Sequence, residues 1–181
     1  PDLIVSSVTK EAGELSYLLE DMRKQDYSFT TPGCTGLSYG TGKGFEVIPL
    51  FKTDTTGCWN EIETTNFIDD TVRMNPTKGE VEGIFTTVLA LRRDINNKEQ
   101  RIIIIGDADC LSNSEVEMRR KGIRAANYSF ILGTFFWLSN EEVPIDVRRP
   151  TPPDNKVYVG ESGMKATKFG LIGGLSMILI F

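Results

Sequence analysis

Four isoleucines in a row, followed by an acidic turn, constrain this chain more than any other stretch. Residues 101–113 read RIIIIGDADCLSN. β-Branched side chains crowd a helix and suit a strand. Four of them without polar alternation predict a strand buried on both faces, as in a parallel or mixed sheet with helices on each side. The expected fold class is therefore α/β.

The elements around that strand follow from period and punctuation. Residues 7–24 carry helical spacing at Leu15, Leu18, Leu19 and Met22, with Thr9 as cap and acidic residues in the first turn. Residues 32–44 (PGCTGLSYGTGKG) are glycine-rich and read as loop. Residues 45–51 read as a strand made an edge or an end by Pro49. Residues 83–93 are a further strand, and 94–99 (DINNKE) a turn before the isoleucine run. Residues 127–138 (NYSFILGTFFWL) form a helix with a wide apolar face, and 143–147 a short strand. The proline-rich 148–154 marks a domain edge. The expected organisation is one domain over 1–150, a linker over 151–168, and an apolar tail over 169–181.

Composition excludes several chemistries. Histidine is absent, which removes Ser-His-Asp and Cys-His catalysis and histidine-ligated metals. Cys34, Cys58 and Cys110 are too few and too scattered for a zinc motif. Of these, Cys34 and Cys58 are the better disulfide candidates, and Cys110 reads as a buried thiol. A net charge of −5 with no basic stripe gives nucleic-acid binding no electrostatic support. The chain begins at Pro1 without a leader-like segment, so it is expected to be part of a longer protein. The tail FGLIGGLSMILIF is shorter than the roughly 20 residues a bilayer span needs. It fits either a buried terminal element or the start of a transmembrane helix.

Asp107 and Asp109 are the candidates for chemistry. Loops at the carboxyl ends of strands in open α/β sheets bind ligands, and two carboxylates there can hold Mg²⁺. Phosphoryl-transfer enzymes with Asp-x-Asp after a strand want Thr or Val two residues after the second Asp, where this chain has Leu111. They also need a later Lys and a further acidic pair, and none stands out. The bland alternative is an aspartate that organises the loop or caps the next helix. The 40–44 loop (GTGKG) lacks the Ser or Thr and the earlier Gly of a phosphate loop. Asn127-Tyr128-Ser129 fits a glycosylation sequon inside a packed segment. Trp137 reads as core. Trp59 and Asn60 lie on a loop and can face a ligand or partner.

The order of these pieces resembles a known family. Pro32-Gly33 comes first, then a strand into a Pro-Leu-Phe and Thr-rich loop, then Trp59-Asn60-Glu61. Residues 100–113 follow, then an Asn-initiated helix ending in Trp137-Leu138, then Pro144-Ile145-Asp146-Val147. This resembles the extracytoplasmic region of ABC-transporter auxiliary proteins of the type associated with gliding motility in Bacteroidetes. The likeness covers roughly residues 25–150 and is densest over 100–150. It implies a flavodoxin-like or glutamine-amidotransferase-like domain in the periplasm, anchored in the inner membrane by a helix beginning near 169. It implies permease and ATPase subunits as partners and brings no catalytic residue, metal or cofactor.

The expected function is thus non-catalytic. Asp107, Asp109, Asn113, Trp59 and Asn60 are the candidate ligand- or partner-binding residues. One alternative is a Mg²⁺-dependent hydrolase or phosphotransferase using Asp107 and Asp109. Another is a sugar- or peptide-binding module walled by the glycine-rich loop and Trp59.

Overall fold

The computed structural model describes residues 3–40, 44–62, 73–117 and 120–142, together with Gly163, Lys165 and Lys168. The chain divides into two compact units, Pro1–Ile145 and Asp146–Phe181. In the second unit the three described residues are helical. The expected strand at 143–147 and the apolar tail at 169–181 lie outside the described residues. Among the described residues, no helix is long and apolar enough to cross a membrane.

The first unit is built on five strands: β1 (Leu3–Val8), β2 (Ser28–Pro32), β3 (Glu46–Thr53), β4 (Thr86–Ile95) and β5 (Lys98–Ile105). They lie in the order β2-β1-β3-β4-β5, and every neighbouring pair is antiparallel. This overturns the expected parallel or mixed sheet, and with it the flavodoxin-like and amidotransferase-like folds. The reason is local. Asn96 and Asn97 take φ of 52° and 60°, and Ile95 pairs with Lys98 across them. Two consecutive left-handed residues make the tight turn whose twist suits a two-residue hairpin, and asparagine tolerates that conformation. β5 therefore folds straight back on β4, and no crossover helix intervenes.

The isoleucine strand is consequently an edge strand, and its side chains do alternate. Ile103 and Ile105 pack against the core, while Ile102 and Ile104 are 41% and 39% exposed. Four identical residues hide a period of two, because an alternation of environment leaves no trace in the letters.

The helices pack on one face of the sheet. Thr9 caps α1 (Lys10–Leu15), its Oγ1 accepting from the Ala12 N–H at 3.1 Å and donating to the Pro49 carbonyl at 2.6 Å. Ser16 is extended, at φ −153° and ψ 135°. It ends α1 and caps α2 (Tyr17–Lys24), so the single helix expected over 7–24 is two helices with a strand before them. After the short α3 (Asn113–Glu117) comes α4 (Asn127–Leu138). It lies so close to α2 that a Cβ on Gly133 would meet Leu19 Cγ at 3.2 Å. Phe29, Phe51 and Phe130 form the centre of the core, with ring centroids 4.6 to 5.2 Å apart. Fully burying each such ring contributes about 2–3 kcal/mol, and the tilted and edge-on contacts add to that.

Candidate functional site

β3 ends, β4 begins and β5 ends at one end of the sheet, and the loops gathered there hold most of the residues nominated from sequence. The acidic turn is built from the backbone outward. Gly106 N–H donates to the Thr87 carbonyl at 2.9 Å, and Thr35 N–H donates to the Gly106 carbonyl at 3.0 Å. A Cβ at Gly106 would lie 2.1 Å from the Thr35 oxygen and 2.7 Å from Cys34 Sγ, so only glycine lets the two loops meet. Asp107 Oδ1 then accepts the Asp109 N–H at 3.1 Å, and the Cys110 thiol donates to the Asp107 carbonyl at 3.0 Å. Asp107 Oδ2 is shielded from solvent and has no hydrogen-bond partner, whereas Asp109 is exposed.

Both thiols beside this turn are held protonated. Burial pushes Cys34 up to about 11, and the Asp107 charge adds to it. Burial likewise pushes Cys110 up to about 12, helped by Asp107 and by Cys34. All three cysteines are free. Cys34 neighbours the Cys110 turn, not the Cys58 loop, because the Thr35–Gly106 bond draws it there.

Of the other nominated residues, Asn113 is exposed at the start of α3, where Ser112 Oγ accepts the Glu115 N–H at 3.3 Å. Trp59 and Asn60 sit in the long β3–β4 connection. Asn60 Oδ1 accepts the Val81 N–H at 2.6 Å, and Trp59 Nε1–H donates to Glu61 Oε2 at 3.2 Å. These contacts fold the connection back on itself. Among the described residues, no hydrogen bond joins Trp59 or Asn60 to the acidic turn. Among the described residues, no three Cys, Asp or Glu are placed to hold a metal ion.

Sequence reasoning missed the residues that tie this region together. The Asn127 side chain acts as a strand for the outer edge of β2. Its Oδ1 accepts the Thr30 N–H at 3.0 Å, and its Nδ2–H donates to the Thr30 carbonyl at 2.7 Å. The same amide donates to the Cys110 carbonyl at 3.2 Å, joining the acidic turn to β2. With that amide buried at 2% exposure, Asn127 is closed to glycosylation. Beside it, Glu115 and Arg120 pair at 2.6 Å. Midway along β5, the Arg101 guanidinium donates to the Trp137 carbonyl and to Asn140 Oδ1, and stacks 5.4 Å from the Trp137 ring. The strand, the acidic turn and α4 are therefore one unit, fastened at both ends. The only sequence signal for it was the order Asp-Ala-Asp, Asn, Trp-Leu.

The outer edge of β5 is different. Gly106 and Thr87 form a hydrogen-bonded pair, and Ile95 and Lys98 close the hairpin at the other end of the same register. Bonded pairs alternate in an antiparallel ladder. The main-chain groups of Ile102 and Ile104 therefore face β4, and those of Arg101, Ile103 and Ile105 face outward. Comparison with protein-family models, curated proteins and solved structures finds no match for the chain.

Proposed function

We propose that this chain is a non-catalytic interaction domain, and specifically the extracytoplasmic part of an ABC-type transport complex that docks a permease or ATPase-associated subunit. The observation that carries the proposal is the fastening of β5 to α4. The polar groups of Asn127 and Arg101, and one carboxylate oxygen of Asp107, are occupied in bracing. What the brace presents outward is apolar: Ile102 and Ile104 on β5, and Tyr128, Phe135 and Leu138 on α4. Apolar residues presented on rigid elements are what partner recognition uses.

The transport setting rests on the order of motifs over 100–150 and draws nothing from the flavodoxin-like fold, which the antiparallel sheet excludes. Its test is co-purification in detergent of the full-length protein with any ABC permease and ATPase found encoded beside it. A photo-crosslinker at Phe135 should trap one of those subunits. If neither subunit co-purifies, the transport setting fails.

The competing reading is Mg²⁺-dependent hydrolysis or phosphoryl transfer through Asp107 and Asp109. The unpartnered Asp107 Oδ2 is the observation in its favour. Calorimetry with Mg²⁺ on the parent chain and on Asp107→Asn decides it. Heat that the substitution abolishes would establish the metal site, and no heat in either removes it.

A further inference from the structure

We infer that the edge of β5, open among the described residues, takes up an extended peptide segment as a sixth strand, apolar at alternate positions and basic where it passes Ile105. This rests on the reading of the chain as an interaction domain and names the surface and the chemistry of its partner.

Three observations converge on that edge. First, the outward main-chain groups of Arg101, Ile103 and Ile105 form a ready template for strand addition. Natural sheets blunt such edges with proline, inward-pointing charge, a bulge or a covering segment. β5 contains no proline, and its pairing with β4 runs from Lys98 to Ile105 without a register shift. The one charge in 101–105, Arg101, is drawn aside to Glu99, Asn140 and the Trp137 carbonyl.

Second, Ile102 and Ile104 stand on the face away from the helices. There they share their register with Leu91 and Leu89 and are 41% and 39% exposed. A strand added beside them places every second side chain on that same face. Third, the edge runs into Asp107 and the exposed Asp109. A cation on the incoming segment complements the exposed Asp109 carboxylate.

A second copy of the chain fits less well. The two-fold pairing that overlays 101–105 on itself sets Glu99 against Asp107 of the other copy, and directly opposed like charges destabilise a sheet. Five residues with two exposed isoleucines also fall far short of the roughly 1,600 Å² of a standard stable interface. A short segment added through its main chain needs no such area.

The test is fluorescence anisotropy of the whole chain with a labelled probe peptide, Lys-Val-Thr-Val-Thr-Val-Lys, and with its relative carrying proline for the central valine. The alternating probe should saturate below about 1 mM, and the proline form should bind at least about 10-fold more weakly. Replacing Ile102 and Ile104 together by lysine should weaken binding by about 10-fold or more, and Asp109→Asn by about 3-fold at low salt. If the double lysine variant fails to fold by circular dichroism, the double threonine variant takes its place. Amide exchange at Ile103 and Ile105 should slow when the probe binds. Equal binding of both peptides, an affinity unchanged by the isoleucine substitutions, or no saturation below about 1 mM overturns the inference. Loss of transport-subunit co-purification with peptide binding retained overturns the transport setting alone. Retained co-purification with no peptide binding overturns the β5 site alone.

Discussion

The sheet has two edges, and they are finished in opposite ways. On β2, Ser28 N–H donates to the Arg124 carbonyl and the Ser28 carbonyl accepts from the Ala126 N–H, both at 2.9 Å. Two residues on, the Asn127 amide answers Thr30 in the same manner. Pro32 has no N–H to satisfy. Every outward donor of β2 is thus met by the chain itself. On β5 the equivalent groups at Arg101, Ile103 and Ile105 face outward, next to exposed isoleucines. Closing one edge and leaving the other open limits strand addition to a single side of the sheet, which is what separates a docking surface from indiscriminate aggregation.

The largest expected effect comes from reopening the closed edge. Asn127→Ala strands the Thr30 N–H and carbonyl and removes a bond to Cys110, all in a buried setting. A buried group left unsatisfied costs about 1–3 kcal/mol, so the variant should lose about 3 kcal/mol in urea denaturation. A loss under about 0.5 kcal/mol would show that the side-chain strand contributes nothing.

Hydrogen exchange followed by NMR sharpens the contrast residue by residue. On β5 the amides of Ile102 and Ile104 should be protected and those of Ile103 and Ile105 fast, by about 100-fold, an opening free energy of about 2.7 kcal/mol. On β2 the outward amides of Ser28 and Thr30 should be as slow as that of Phe29. Uniform protection along β5 would mean that its outer edge is covered, and the comparison of edges would collapse.

These edges were only partly legible beforehand. The strands at 83–93 and 101–105, the α4 helix and the Thr9 cap follow from propensity and capping, which are local. Sheet direction is not local. It was settled by Asn96-Asn97, two residues inside a segment read simply as a turn. β2 escaped notice because Thr30 and Thr31 are polar yet 0% exposed, so hydrophobicity does not mark them. Asn127 looked like a helix start, and its role as a surrogate strand depends on a contact 97 positions away in sequence. Asp107 bonds within its own turn, through Oδ1 to the Asp109 N–H, and that contact follows from the short spacing of the two residues. That the strand beside them is an edge could not be read from four identical letters.

A smaller effect concerns pH, and it acts where the β2–β3 loop meets the acidic turn. Cys34 and Cys110 are raised from 9.0 to about 11 and about 12 in the folded chain. Between those values and pH 9 the unfolded chain ionises its thiols and the folded chain does not. Their contribution is therefore complete below about pH 9 and lost as pH rises through 11 to 12. Urea midpoints should fall over that window in the parent and fall less in the Cys34→Ser variant. A steeper fall in the variant would contradict the burial of this thiol against Gly106.

The smallest expected effect is the most telling about what the open edge is for. Replacing Ile102 and Ile104 by lysine removes two side chains that are already 41% and 39% exposed and that point away from the aromatic core. Their long stems can lie along Leu91 while the ammonium groups reach water. The loss of stability should stay within about 0.5 kcal/mol, against about 3 kcal/mol for Phe130→Ala on the other face. Were Ile102 and Ile104 present to stabilise the sheet, the two costs would approach each other in denaturation experiments. A near-neutral result instead means that these isoleucines add little to folding, so that their place on an unguarded edge is explained by what binds there.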